Sequence, residues 1–342
     1  MFDLSICIPT FNRNRLLINC LNSLKLETLN SNLKIEVCVS DNYSEESIDP
    51  IIENYKKYLN IVYNKNPENI GVAKNILKAV SLATGKFVWL LGNDDFVLPN
   101  SFKHIENYLK INKDVDFYYI NSYNLNQNIL KNFDHPLNPN HINVSDLKKF
   151  SNYNRTEKLK YLDLIDPKKS FEFMLSMNLY IFKKEYWDQN IDQINEKNIS
   201  KANLYSTFDN TAPHVKILSK AFIDKMAFFV SEPLSINVHG PRSEEWGNLY
   251  PFVEAVRIPE ILDIYRKNGL PFLQYLYCKN FALRRLIPSL FNMIKNSNNS
   301  GLKYINIRSH IVKNLFYPSI YLYGCFYLFR RVLVFIKNKF KW

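Results

Sequence analysis

Two adjacent carboxylates, Asp94 and Asp95, sit in the run "VWLLGNDDFVLP" (88–99), where large apolar residues give way to a glycine and an asparagine. Two carboxylates in one short turn repel unless something positive lies between them and a ligand. A hard divalent cation, Mg²⁺ or Mn²⁺, does this by taking carboxylate oxygens from the protein and phosphate oxygens from a nucleotide. It then neutralises charge building on a departing diphosphate. The plainer use of the same residues is a helix N-cap or a solvated turn.

Three other apolar runs end in residues of chemical interest. "LSICIPT" (4–10) leads into Pro9-Thr10-Phe11-Asn12-Arg13, "KIEVCVSDN" (34–42) ends in Ser40-Asp41-Asn42, and "NIVYNKN" (60–66) leads to Asn69-Ile70-Gly71. Each run reads as a strand. Segments with helical spacing lie between them at 14–27, 48–59 and 71–84, and "KFVWLLGNDD" (86–95) is the fourth strand. Strands alternating with helices predict a mostly parallel, Rossmann-like sheet flanked by helices. The strands are nearly continuous apolar runs, as when both faces are covered. Ligands of such sheets sit beyond the carboxyl ends of the strands, so four such ends on one edge make a site. Each residue also has a plainer role. Arg13 suits a helix start, Asp41 a turn before Asn42, and Lys74 an exposed helical face.

The rest of the chain is less regular. Another strand is expected at 114–125, after the segment 95–112. Residues 126–170 are polar and weakly periodic, an insertion or flexible loop. Residues 170–189 read as a helix or loop leading into a strand, 206–220 as a helix starting near Asp209, and 225–240 as paired strands. From about 250 the pattern turns helical, at 252–269 and 271–296. The end, "LFYPSIYLYGCFYLFRRVLVFIKNKFKW" (315–342), is aromatic and aliphatic with Arg330, Arg331, Lys337, Lys339 and Lys341 clustered late. The expected division is 1–115, 116–248 and a helical, basic-aromatic 249–342.

"LSICIPTFNRNRLLINCLNSL", "IEVCVSDNYSEES", "NPENIGVAKNILKAV" and "TGKFVWLLGNDDFVLP" resemble the successive blocks of a family 2 glycosyltransferase of GT-A fold. The likeness is strong over roughly residues 3–112 and loose over 170–240. "LLGNDD" is similar to abequosyltransferase-type enzymes of bacterial surface polysaccharides. The resemblance implies that Pro9, Thr10, Asn12 and Arg13 touch the nucleotide and that Asp41 contacts the base. Asn69, Gly71 and Lys74 line the nucleotide pocket, glycine permitting close backbone approach. Asp95 matches the last aspartate of the DXD motif. Asn93 stands in the first position, usually acidic, and ligates through its carbonyl oxygen; Asp94 lies between them. His239, in "INVHGPRSEEW" (236–246), falls where a third metal ligand or diphosphate contact is found. Arg242 would pair with phosphate oxygens, and Trp246 stack on a sugar or close the pocket.

Inverting sugar transfer needs a base to take the acceptor hydroxyl's proton. The resemblance puts an acid at a helix start, where Asp209 is the best match; Phe208 stands where a second acid is common. Asp209 also suits an N-cap. Glu172, Glu185 and His214 are lesser candidates. "SMN" (176–178) resembles the acceptor-side segment.

The composition bounds the rest. The 342 residues carry a net charge of +12, 46% hydrophobic residues and 15% aromatics. The charge draws the chain to anionic partners. No zinc spacing, arginine-rich tract or aromatic RNA-binding motif accompanies it, so nucleic acid is not the expected partner. Five widely spaced cysteines without a CxxC fit free cytosolic thiols. No basic region precedes an apolar run at the N-terminus, so no signal peptide is expected. No run of about 20 uninterrupted apolar residues marks a membrane span. The basic, aromatic C-terminus suits a membrane surface.

The expected protein is thus an inverting glycosyltransferase using Mn²⁺ or Mg²⁺ and a nucleotide-diphosphate sugar. Its acceptor is a lipid-linked or surface glycan (O-antigen, capsule or lipooligosaccharide), and it is cytoplasmic and peripheral on the inner membrane. The alternatives are a catalytically silent nucleotide- or glycan-binding protein of the same fold, and a nucleotidyltransferase. The latter normally has a glycine-rich loop after its first strand, which "PTFNRNR" lacks.

Overall fold

The structure, a computed structural model, describes residues 1–199, 206–240, 247–296 and 300–340. The chain divides into two compact units, Met1–Pro241 and Arg242–Trp342.

The first unit is built on a ten-stranded sheet. Its strands are β1 (Leu4–Thr10), β2 (Ile35–Asp41), β3 (Asn60–Lys65), β4 (Phe87–Leu90), β5 (Phe96–Val97), β6 (Phe117–Asn126), β7 (Lys148–Lys149), β8 (Glu157–Lys160), β9 (Tyr180–Lys183) and β10 (Met226–His239). Its helices are α1 (Asn14–Thr28), α2 (Asp49–Tyr55), α3 (Val72–Ser81), α4 (Ser101–Ile111), α5 (Lys184–Asp188), α6 (Phe208–Thr211) and α7 (Pro213–Ala221). The order across the sheet is β3-β2-β1-β4-β9-β6-β10-β5, with β7 on β6 and β8 on β10. The first four strands run parallel, as the alternation predicts. Beyond them β9 is antiparallel to both neighbours, so the sheet's second half is mixed.

Period-two side chains separate the two faces. Leu4, Ile6 and Ile8 of β1 and Ile35, Val37 and Val39 of β2 share one buried cluster with Leu17, Leu21 and Leu24 of α1, Ile52 of α2 and Phe102 and Ile105 of α4. Ser40 faces α3 instead, donating its hydroxyl to Asn75 at 2.8 Å.

Two departures from the sequence expectation shape the site. The fourth strand ends at Leu90, not 95. Leu91 makes one last bond to Cys7 of β1, 3.0 Å, and the chain then leaves the sheet. β1 continues to Thr10 beside β2 alone. Pro9, with no N–H for a second neighbour, suits this open edge. The parted ends of β1 and β4 form a crevice.

The expected pair of strands over 225–240 is one strand, β10, with an irregularity between Val230 and Ser235. "SEP" (231–233) supplies no tight-turn chemistry, and Pro233 is tolerated where the ladder is broken. The irregularity divides the partners of β10: β8 pairs with 226–229 and β5 with 235–236.

In the second unit the longest helices are Ile258–Lys267, Phe272–Leu283, Leu286–Lys295 and Pro318–Phe340. Lys279 is wholly buried between Phe272–Leu283 and Ile258–Lys267; its ammonium donates to Asp263 and, at 2.9 Å, to the Pro259 carbonyl. The stretch Pro318–Lys337 is long and apolar enough to cross a membrane, with a mean hydropathy of 1.4, though sequence inspection sees a run broken by Arg330 and Arg331. It packs on its own unit through Ser319, Ile320 and Gly324. A Cβ at Gly324 would lie 2.3 Å from Ile287.

Candidate active site

The crevice brings most of the strand-end residues together. Asn93, in the turn after β4, donates from Nδ2 to Thr10 Oγ1 at the end of β1, 2.7 Å. Arg13 Nη1 lies 2.5 Å from Asp94 Oδ2. Asn12 has a left-handed backbone (φ 50°), which asparagine tolerates better than most residues. Its N–H donates to Ser44 Oγ at 2.9 Å and its Oδ1 accepts from the Glu45 N–H at 2.9 Å, clamping the β1–α1 loop to the β2–α2 loop.

Asp41 is wholly buried at the end of β2. Its Oδ1 accepts from the Ser44 hydroxyl at 2.6 Å and the Ser44 N–H at 3.1 Å. Its Oδ2 is buried with no hydrogen-bond partner among the described residues. An unpaired carboxylate oxygen away from water is costly, and an N–H donor from a bound ligand removes that cost.

A web of asparagines, not anticipated from the sequence, supports this end of the sheet. Asn42 donates to Asn69 Oδ1 at 2.8 Å and accepts from the Ile70 N–H at 2.9 Å. Gly71 donates its N–H to Asn69 Oδ1 at 2.9 Å and opens α3 with φ 86°, a conformation natural to glycine. Buried Asn75 accepts from Ser40 Oγ and Asn66 Nδ2 and donates to the Ser40 carbonyl at 3.0 Å. Lys74, beside it on α3, is half-buried.

Asp95 is buried and holds the turn to two places. Its Oδ2 accepts from the Gly92 N–H at 3.0 Å. Its Oδ1 accepts from Asn237 Nδ2 at 2.8 Å and the Val238 N–H at 3.3 Å, both on β10. Burial, then the neighbouring Asp94 charge, push its carboxyl well above the usual range. A Cβ on Gly92 would lie 2.7 Å from both Asp94 Oδ1 and Asp95 Oδ2, so the two carboxylates converge over a point only glycine leaves open. Two carboxylate oxygens near one point suit a hard divalent cation completed by phosphate or water oxygens. Among the described residues no group of three His, Cys, Asp or Glu side chains gathers for a metal. His239 follows Val238 at the exposed end of β10, on the same side of the strand as Asn237. Arg242 and Trp246 lie outside the described residues.

Asp209 lies on the short helix α6, which packs against α3. The N-cap there is Thr207, whose hydroxyl accepts from the Asn210 N–H at 3.1 Å, so Asp209 is not the cap. Its Oδ1 lies 2.5 Å from Lys216 Nζ of α7, and its Oδ2 accepts from Asn198 at 3.3 Å. Glu185 is in the first turn of α5. His214 is buried, its Nε2 3.3 Å from the Met174 carbonyl. Burial pulls its pKa down to about 4, so it stays neutral and structural.

This gives a pH prediction. Between about pH 4 and 6.5 the unfolded chain binds a proton at His214 that the native state does not, so stability rises with pH there. Acidification should remove about 3 kcal/mol across that window. Urea unfolding of wild type and His214→Gln over this range checks it; a slope unchanged in the variant refutes it.

The chain resembles known proteins in sequence and in fold. The family model described as "Glycosyl transferase family 2" matches residues 5–177. Abequosyltransferase RfbV of Salmonella typhimurium is 37% identical over 114 residues, 33% of this chain and 34% of that protein. The match thus spans about a third of that relative's length. Among solved structures, Staphylococcus aureus TarS 1–349 with UDP-GlcNAc superposes with a TM-score of 0.54 at 16% identity, covering 92% of this chain and 79% of that one. Mannosyltransferase PcManGT of Pyrobaculum calidifontis, with GDP-Man and Mn²⁺, gives 0.51 at 11% identity, covering 100% and 90%. At these identities the likeness is one of fold: a mixed α/β sheet of GT-A type.

Proposed function

The chain belongs to glycosyltransferase family 2 and is a glycosyltransferase; on that premise we propose that it is an inverting enzyme that takes a sugar from a nucleotide-diphosphate donor. Its acceptor is a lipid-linked or surface glycan of a bacterial polysaccharide. The observation that carries this is the crevice itself, where an unpartnered Asp41 oxygen and the converging Asp94 and Asp95 carboxylates share one sheet edge.

The residues fall into roles along the donor. Asp41 Oδ2 accepts an N–H of the base. Thr10, Asn12, Asn69 and Gly71 shape the ribose and phosphate channel, with Lys74 at its side. Asp94, Asp95 and the Asn93 side-chain carbonyl would hold Mn²⁺ or Mg²⁺, with His239 two residues past Asn237 on β10. GT-A glycosyltransferases generally use such a divalent metal; bound to a diphosphate, it stabilises the leaving group's charge. Arg13, paired with Asp94, balances the acidic turn, and Arg242 is assigned to the phosphates. The acceptor hydroxyl attacks the anomeric carbon from the side opposite the diphosphate. A new C–O bond forms as the sugar–phosphate bond breaks, and the hydroxyl proton passes to Asp209. The enzyme works at the cytoplasmic face of the inner membrane, attached peripherally by its C-terminal unit. Arg330 and Arg331 fall deep within the apolar stretch, where a spanning helix would bury charge at about 3 kcal/mol each.

Calorimetry with a panel of nucleotide diphosphates, with and without Mn²⁺, tests the donor reading. One nucleotide should bind, and only with metal. Binding of none of them, or binding indifferent to metal, counts against it.

A further inference from the structure

The charge of this chain is unevenly placed. Residues 242–342 hold 16 lysines and arginines against 5 acids, +11 of the total +12. After Asp263 there are 14 basic residues and no acid. Asp263 pairs with Lys279 and Lys313, and Glu254 with Arg285, which still leaves a large basic surplus to attract an external anion.

The helix Pro318–Phe340 also presents uncovered apolar surface. Ser319, Ile320 and Gly324 pack inward, with Tyr327 half-buried. Leu322, Phe326, Phe329, Leu333 and Ile336, spaced three and four apart on the opposite side, are exposed. Beside this helix lies a shallow, open cavity of about 530 Å³ lined by Phe291, Ile294, Lys295 and Arg331. The Arg331 guanidinium is held over the Phe291 ring at 4.8 Å and near the Tyr327 ring at 5.6 Å. Those two rings meet edge to face with centroids 5.8 Å apart. Aromatic faces fix a planar fork without consuming its hydrogen-bond donors, and that fork suits a phosphate.

We propose that this cavity is a binding site for the phosphate of an anionic membrane phospholipid. Arg331 and Lys295 grip the phosphate, and Phe291 and Ile294 flank the first acyl carbons. The site rests on the peripheral membrane attachment proposed above but is a narrower claim, because it requires a particular fork rather than positive charge at large.

The test is flotation of the full chain with vesicles of phosphatidylcholine alone or with phosphatidylglycerol. Wild type should float only with phosphatidylglycerol. Arg331→Lys keeps the charge but removes the fork, and should weaken binding about tenfold. Lys337→Ala with Lys339→Ala removes two charges outside the cavity; this pair should cost less than Lys295→Ala with Arg331→Ala, by about tenfold. If Arg331→Lys binds as wild type, or both double variants lose equally, attachment is diffuse and the cavity is no site. If wild type floats with neither vesicle, the membrane attachment itself fails.

Discussion

Replacing Asp95 with alanine abolishes metal-dependent binding of nucleotide diphosphates and lowers thermal stability in the same step. The first effect follows from the turn's convergence: Asp94 Oδ1 alone is left facing the Gly92 position. The loss should be at least about a hundredfold in affinity. The second follows from three stranded donors, Gly92 N–H, Asn237 Nδ2 and Val238 N–H; leaving such groups unpaired costs about 1–3 kcal/mol each before relaxation. Asp95→Asn separates the effects. It keeps most of the shape and loses the charge, so it should hold the fold and lose the nucleotide. Metal-dependent binding surviving in Asp95→Asn would remove the aspartate from the metal site. The pH dependence has a definite sign. The raised Asp95 carboxyl favours the protonated native state, so its contribution is present at low pH and lost as pH rises through the folded pKa. A cation between the carboxylates opposes that loss. The gain in melting temperature from Mn²⁺ therefore grows as pH rises.

Asp209→Asn cuts transfer about a thousandfold while leaving donor binding intact. The residue lies on α6, whereas the base- and metal-side residues stand at strand ends, so its loss should appear in kcat and not in nucleotide affinity. Lys216 is the control. It lies 2.5 Å from Asp209 and orients it without reaching substrate, so Lys216→Met should reduce kcat less and move its pH profile. An Asp209→Asn enzyme keeping more than about a tenth of its activity would assign the proton to another group.

The first half of the sheet is readable from the chain because β1, β2 and β3 pair in sequence-local βαβ fashion, and β4 joins the free side of β1. The apolar runs at 4–10, 35–41, 60–65 and 87–90 each lie next to an amphipathic helix. The strand ends are readable for the same reason: once the strands are parallel, their carboxyl ends share an edge. What the chain hides is non-local. Asn66 and Asn75 look like solvated polar residues, yet they are buried and satisfy each other and the backbone. Asn237 and Ser44 gain meaning only when β10 and the β2–α2 loop are folded against Asp95 and Asp41. The break at "SEP" looks like a strand end locally, and only the pairing of both halves of β10 with β6 shows it to be one strand. The helix at 318–340 hides its length because two arginines interrupt its apolar run.

The uneven charge has a consequence for ionic strength. Residues 1–241 hold 28 basic and 27 acidic side chains, a net of +1, although the proposed function has this unit take an anionic nucleotide-diphosphate sugar. It has almost no long-range field with which to gather the donor, so recognition there acts at contact distance and resists screening. The last hundred residues are the opposite case, and their attraction to an anionic surface fades as counterions accumulate. Raising salt should thus release the protein from membranes while donor affinity scarcely changes, uncoupling where the enzyme sits from what it can bind.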